Sequence, residues 1–296
     1  MINDANYSIR DLEKLSGIKA HTLRIWEKRY SVFNPNRTET NIRYYTNEDL
    51  RKILNISLLN KSGYKISSIA AMPSSEISDK VAAINLVKTE NEDLVDNLIL
   101  SMLDLDEQLF TKTFNSCLVK LGFENTVLKI IFPFLSRIGT MWQAGSINPA
   151  QEHFVSNIIR QKMIVAIDGI NLQPNSKQMQ TVVLFLRENE MHELVLLFYC
   201  YAMRARGYHT VYLGQNVPIV DLERVISIVR PDYIVTVITN SFNKKEWEFF
   251  KAQMIDYSNN STVLISGKPA FELENNLAPN IHHFKSLADL LKLLNR

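Results

Sequence analysis

No apolar run in this 296-residue chain approaches the roughly 18 residues that a membrane span requires, and the opening Met1-Ile-Asn-Asp-Ala lacks the basic and apolar parts of a signal peptide. A cytoplasmic location is expected. Cysteine is scarce: Cys117 and Cys200 are the two present, both in apolar helical patterns, so buried reduced thiols are expected rather than a disulfide framework. Neither G-x-G-x-x-G nor a Walker sequence occurs, which argues against a dinucleotide or nucleoside-triphosphate site. The histidines lack the spacing of a zinc site, and the C-terminal strand ends lack the clustered aspartates of a phosphoacceptor. What is present is ordinary for a folded chain, 46% hydrophobic and 22% charged residues, with length for about two domains.

The small net charge of +2 hides an asymmetry. Residues 1–72 carry 12 Lys/Arg against 7 Asp/Glu, and the rest carry 21 against 24. A basic head on a mildly acidic body suggests that the head alone meets a polyanion. In that head, Ser8-Ile-Arg-Asp11 is a capping-box-like helix start with Ile9, Leu12 and Leu15 as its apolar stripe. Ser16-Gly17 breaks the chain, and a second helix is predicted over about Lys19–Tyr30. Leu23, Trp26 and Tyr30 form its core face; Lys19, His21, Thr22, Arg24 and Lys28 form a polar, basic one. Two short helices joined by a Gly turn make a helix-turn-helix, whose second helix fits the DNA major groove. Val32–Tyr45 reads as a two-stranded wing in which Arg37 and Arg43 are placed for phosphates. Thr46-Asn-Glu-Asp49 caps a third helix through Lys61, Gly63 closes it, and a fourth spans Ile66–Met72.

The ordered set Thr22-Leu-Arg-Ile-Trp-Glu27, Arg37, Arg43-Tyr-Tyr-Thr46 and Ser62-Gly63 resembles the winged-helix head of MerR-type transcription regulators over nearly all of residues 6–72. The resemblance implies base or phosphate contacts from Thr22, Arg24 and Lys28, with His21 on the same face, and phosphate contacts from Arg43 in the wing. The family usually turns the wing on Gly; Asn41 stands there, and Asn tolerates a left-handed backbone. Arg24 has a purely structural alternative, pairing with Glu27 or Asp49. Such regulators dimerise through one long helix after the head, whereas here Pro73-Ser-Ser75 interrupts at once and no sustained heptads follow. Self-association, to a dimer or tetramer, is therefore expected from the rest of the chain.

Residues 76–170 carry helical patterns over about Ser78–Lys88, Glu90–Leu103, Glu107–Leu121, Glu124–Ala144 and Pro149–Ile170, an antiparallel bundle of four-helix type. Breaks fall at Asp104-Leu-Asp106, Gly122 and Gly145-Ser-Ile-Asn148. Asn148 as N-cap, Pro149 at the first helical position and Gln151 at the third form a strong helix start. Beyond the polar stretch Asn171–Lys177, β/α alternation is clear. Strands are expected at Thr181–Leu186, His209–Leu213, Tyr233–Val237, Thr262–Ile265 and Ile281–Phe284, and helices at His192–Arg206, Ile219–Val229, Lys244–Tyr257 and Leu287–Leu294. That pattern predicts a doubly wound parallel sheet of flavodoxin or Rossmann type. The expected organisation is a head over 1–75, a bundle over 76–170 and an α/β domain over 178–296.

The polar loop after the first of these strands contains Glu190-Met191-His192, which resembles the Asp/Glu-x-His-x-x-Gly signature of cobalamin-binding domains. The resemblance implies that His192 is the lower cobalt ligand and that Glu190 bonds its other ring nitrogen, a pairing that fixes the tautomer of a metal-binding imidazole. Thr236, Ser266 and Gly267 stand where that family has its Ser-x-Leu and Gly-Gly positions. Val195 stands in place of the closing Gly. Extra volume beside the cofactor's nucleotide tail costs roughly 1–3 kcal/mol, or about one to two decades of affinity. Trp142 followed after nine residues by Glu152-His153 matches the bundle signature of light-responsive, cobalamin-dependent repressors of the CarH and LitR type. It implies that Trp142 and Glu152 contact the adenosyl group of adenosylcobalamin and that His153 takes the upper cobalt position after photolysis. Taken singly, a helix-end Trp such as Trp142 is usually core, His153 is more often a surface or satisfied histidine, and His192 also reads as a helix-start histidine capped by Glu190.

The expected function is a non-enzymatic, DNA-binding repressor sensing adenosylcobalamin and, through it, light. A second reading keeps the regulator and makes its sensor half a cobalamin-independent module for oligomerisation or partner binding. A cobalamin-dependent methyltransferase or mutase component is disfavoured by the basic winged head and the lack of a substrate barrel.

Overall fold

A computed structural model describes residues 7–33, 35–38, 40–82, 91–143, 147–170, 179–240, 244–258, 260–267 and 278–294. The chain divides into two compact units, Met1–Ile158 and Ile159–Arg296. No helix among the described residues is long and apolar enough to cross a membrane.

In the first unit α1 (Ile9–Ser16) starts on a reciprocal cap. The Ser8 hydroxyl accepts the Asp11 N–H while the Asp11 carboxylate accepts the Ser8 N–H. It stops at Gly17, whose φ of 72° is left-handed, a conformation without cost for glycine. Next, α2 (Ala20–Tyr30) buries Leu23 and Trp26. The wing is the antiparallel pair β1 (Asn36–Arg37) and β2 (Arg43–Tyr44), with Arg37 opposite Arg43. Asn41 takes φ 64° in its turn, the left-handed backbone expected of it. A bridge between Tyr7 and Tyr45 closes the head, and α3 (Asn47–Lys61) starts on a second reciprocal cap, Thr46 with Asp49. A short α4 (Ile66–Ala70) comes next.

Pro73 does not separate the head from the bundle as widely as the sequence suggests. The helix expected from Ser78 begins four residues earlier, as α5 (Ser74–Ala82), with the Ile77 N–H donating to the Pro73 carbonyl at 3.1 Å. A proline supplies a preset φ at a helix start and lacks only an N–H that no helical carbonyl needs. The expected end of that helix, at Lys88, lies outside the described residues. In α6 (Asn91–Asp104) every residue from Asp93 to Leu103 is buried, so this helix is covered on all sides. The predicted break at Gly122 is a kink (φ 71°, ψ 169°) inside α7 (Glu107–Thr126). A π-turn over Val127–Ile131, which apolar spacing did not announce, leads into α8 (Phe132–Gln143). Phe110, Phe114 and Phe134 pack together in the bundle core.

The last long helix, α9 (Pro149–Asp168), starts as expected: the Asn148 side chain accepts the Ala150 N–H at 2.9 Å and Gln151 accepts the Asn148 N–H at 3.1 Å. Asn148→Ala removes an acceptor that water replaces poorly. It is expected to lower the unfolding free energy by about 1 kcal/mol, and an unchanged urea midpoint would contradict this role.

The second unit is the doubly wound sheet, all parallel, in the order β4-β3-β5-β6-β7. Its strands are β3 (Thr181–Arg187), β4 (His209–Val217), β5 (Tyr233–Val237), β6 (Thr262–Ser266) and β7 (Ile281–His283). Its helices are α10 (Glu193–Arg204), α11 (Ile219–Val229), α12 (Lys244–Tyr257) and α13 (Leu287–Leu294). Strand β4 runs four residues past its predicted end at Leu213, through left-handed Gly214 and Asn216 (φ 79° and 57°) that shift its register. Val183 and Phe185 of β3 share a core with α11 and α12 residues such as Leu222, Ile226 and Trp247, and alternation sends Val182, Leu184 and Leu186 to the other face. Counted within this unit, the strand order is 2-1-3-4-5. Its switch point lies between β3 and β5, so the crevice that such sheets use for ligands opens at their carboxyl ends.

Candidate functional site

The polar loop at that switch point is built around one buried carboxylate. Glu190 is fully buried, directly after β3. Its oxygens accept the His192 Nδ1–H at 2.6 Å, the Thr239 hydroxyl at 2.7 Å, and the Thr239 and Asn240 backbone N–H groups at 2.8 and 3.0 Å. Burial pushes the Glu190 pKa up, but the bonds from His192, Thr239 and Asn240 outweigh it and hold the group at about 2. Glu190 is therefore an anion at neutral pH. An anionic partner on Nδ1 fixes the proton there, and the lone pair sits on Nε2 of a ring whose side chain is 61% exposed; that is the arrangement of a metal-binding imidazole. The Thr239 hydroxyl also lies 2.6 Å from His192 Nδ1.

The loop is pinned on both sides. Asn216, at the end of β4, accepts the Asn189 N–H at 2.9 Å through its side chain, and the Asn240 side chain donates to the Asn189 carbonyl at 2.7 Å. Asn189 takes φ 63° to make this turn. Glu193, the first residue of α10, is also buried and is held by Arg160 Nε at 2.8 Å and the Tyr212 hydroxyl at 3.1 Å. Burial, with the Glu193 charge beside it, raises the Tyr212 pKa. Sequence reasoning missed Thr239, Asn240, Asn216 and Glu193. A hydroxyl or amide in the loop after the neighbouring strand β5 was the available signal, and it acquires meaning only once β3 and β5 are known to be adjacent.

The other residues expected in this domain lie along β5 and β6. Thr236 is fully buried in β5, and its hydroxyl has no hydrogen-bond partner among the described residues, which costs about 1–3 kcal/mol unless something fills it. Ser266 is buried at the end of β6, beside Tyr199. At Gly267 φ is 113° and an added Cβ would lie 1.8 Å from the Ile238 carbonyl oxygen, so only glycine fits there. Val195 is half-buried on α10.

In the first unit, Trp142 stands in the last turn of α8 with 51% of its surface exposed, and is therefore not core. Glu152 and His153 stand at the start of α9, paired at 3.1 Å, with the His153 side chain 72% exposed. Within the second unit, a carboxylate-fixed imidazole and a buried hydroxyl in the sheet make a donor set that fits a corrinoid cofactor.

The basic face of the head is equally open. His21, Arg24 and Lys28 are exposed on α2, and Thr22 is half-exposed. The alternative roles for Arg24 are filled by other groups. Arg43 takes Glu27, at 3.5 Å, and thereby ties the wing to α2, while Asp49 caps α3 with Thr46. Arg37 Nη1 donates to the Asn41 side chain at 2.7 Å and stiffens the wing turn. The start of α2 lacks a cap from its own N-cap residue, Lys19. Glu13 of α1 supplies one, accepting the Ala20 N–H and the Lys19 ammonium, each at 3.0 Å, and those two bonds lower its pKa.

A winged helix-turn-helix with an exposed basic reading helix, joined to a helical bundle and a 2-1-3-4-5 sheet carrying a His–carboxylate pair, defines the architecture of a DNA-binding regulator. Residues 7–76 match the MerR HTH family regulatory proteins and residues 94–166 the B12 binding domain, so the chain joins a MerR-type DNA-binding head to a B12-binding region. It is 25% identical over 252 residues to the HTH-type transcriptional repressor CarH of Myxococcus xanthus, across 83% of each chain. It is also 25% identical over 228 residues to the repressor CarA of the same organism, across 76% of this chain and 74% of that one. Among solved structures it is similar to the monomethylamine corrinoid protein of Methanosarcina barkeri, with a TM-score of 0.51 and 16% identity over 69% of this chain and 98% of that one. That last likeness is one of fold.

Proposed function

We propose that this regulator is a repressor whose sensor half holds adenosylcobalamin and responds to light. The observation that carries the reading is the Glu190–His192 pair, a buried anion fixing the tautomer of an exposed imidazole at the sheet's switch point. Adenosylcobalamin supplies a visible chromophore and a cobalt–carbon bond that light cleaves. His192 would hold the cobalt through Nε2, and Glu190 would raise the basicity of that imidazole. Thr236, Ser266 and Gly267 would line the place of the nucleotide tail, and the tail would give the Thr236 hydroxyl a partner that it lacks among the described residues. Trp142 and Glu152 would hold the adenosyl group, and His153 would serve as a further cobalt ligand once that group is lost. In the head, Thr22, Arg24, Lys28 and His21 face the major groove while Arg37 and Arg43 meet phosphates. Self-association through the bundle and the C-terminal domain makes the DNA-bound form, and light changes the relative stability of two assemblies.

The test is reconstitution of the full chain with adenosylcobalamin in the dark, followed by gel filtration before and after illumination. The expected result is a bound corrinoid spectrum that changes in light together with the apparent size. His192→Ala is expected to alter the dark spectrum through loss of the lower ligand. Absence of a bound chromophore, or a size indifferent to light, rejects the reading. Val195, a half-buried branched side chain where the family has Gly, favours the second reading, a regulator whose sensor half works without the cofactor; DNA affinity insensitive to cobalamin and light is its signature.

A further inference from the structure

One side chain on the reading helix does not belong to its basic surroundings. Ile25 of α2 has 46% of its surface exposed, whereas Leu23 and Trp26 of the same helix are 0% and 8% exposed. At 3.6 residues per turn, His21 and Arg29 lie one turn away from Ile25 on the same face, and Thr22 and Lys28 lie three residues to either side. The isoleucine therefore sits inside the polar, basic face rather than at its edge toward the core. Arg24, Lys28 and Arg29 around it are exposed, so the surface that surrounds it is complementary to a polyanion.

Within the major groove the base edges offer hydrogen-bond donors and acceptors and one apolar group, the C5 methyl of thymine. An isoleucine side chain has a stiff χ1 and no polar atom, so it has nothing to offer a phosphate, a guanine edge or an adenine edge. The geometry points to Ile25 as a specificity-determining residue that selects thymine by contact with its methyl group, while the cations around it supply affinity without sequence choice. This inference rests on the major-groove reading of α2 and is independent of any cofactor in the sensor half.

The test uses the full-length protein. Preferred duplexes are selected from a random pool, and each thymine is then replaced singly by deoxyuracil, which keeps the base pair and removes only the methyl. Burying one methyl-sized group is worth ~0.8 kcal/mol, or about four-fold in affinity. One thymine is expected at which replacement weakens wild type by about that factor and leaves Ile25→Ala unaffected. Ile25→Val, which keeps a branched apolar tip, retains the discrimination. Salt dependence separates this contact from phosphate contacts: Ile25→Ala keeps the wild-type slope, and Lys28→Ala loses about one unit of it. Position 25 is exposed, so the unfolding midpoint of Ile25→Ala is expected to match wild type; if it does not, the deoxyuracil scan on wild type and Ile25→Val decides. The inference is overturned if no thymine shows the effect in wild type, or if the effect persists undiminished in Ile25→Ala. Failure to enrich any sequence overturns it along with groove reading by α2, and is distinguishable because thymine replacement is then never reached.

Discussion

Arg137→Met is expected to lower the unfolding free energy of the first unit by roughly 3–5 kcal/mol, as removal of one partner from a buried ion pair does. Asp96 of α6 is 2% exposed, with Arg137 of α8 at 2.6 Å and Lys61 of α3 at 3.8 Å. Lys61 also pairs with Asp93 at 2.7 Å. Burial raises the Asp96 pKa, and the attraction of Arg137 and Lys61 opposes it without cancelling it. Without Arg137, the more distant Lys61 is left to stabilise an anion inside an apolar helix pack. Two further results separate this account from simple loss of packing. Asp96→Leu combined with Arg137→Met is expected to recover most of the loss, because no unpaired charge remains. The deficit of Arg137→Met alone is expected to shrink on acidification, as Asp96 takes up a proton and ceases to be a buried charge. A deficit below about 1 kcal/mol, or one that the double variant does not repair, would falsify the assignment. The same cluster, with Arg51 and Asp104 paired at 2.7 Å, fastens the third helix of the DNA-reading head to the central helix of the bundle.

The second large effect concerns Glu190. Its pKa is about 2 in the folded protein against an ordinary 4.5. A depressed carboxylate contributes stability in full above its unfolded pKa and loses it as pH falls through the folded one. The window is thus from about 4.5 down to about 2. The shift corresponds to roughly 3 kcal/mol, a conversion that holds because the side chain is fully buried. Glu190→Gln keeps the shape, removes the charge and turns one acceptor oxygen into a donor facing the Thr239 and Asn240 N–H groups. The variant is expected to be less stable than wild type at pH 7 by about that amount, and the gap is expected to close as both are titrated toward pH 2. Other carboxylates titrate alike in the two proteins and cancel in the difference. Stability curves that run parallel from pH 7 to pH 2 would show that Glu190 carries no such anion.

Much of the fold was legible because its cues are local. Ser8, Thr46 and Asn148 announce helix starts through acceptors that satisfy N–H groups two or three residues ahead, and a buried strand such as Thr181–Leu186 needs only its own apolar run. Pro73 misled for the complementary reason: a proline reads as a break, yet it also suits the residue before a helix. The π-turn at Val127–Ile131 left no mark in the apolar spacing.

For the site, the sequence alone determined its nucleus, since Glu190 and His192 are two residues apart and meet across one turn of backbone. It also determined the basic character of α2. Tertiary structure decided everything that makes the pair work. Thr239 and Asn240 lie 49 and 50 residues away along the chain and reach Glu190 because β3 pairs with β5 on the side away from β4, the next strand in sequence. Likewise the Asp96 carboxylate finds Arg137 at a separation of 41 residues. Chain-local patterns report hydrogen bonds and faces within one element; which elements lie side by side is set by burial of whole apolar surfaces, and the partners of a buried charge are decided by that arrangement.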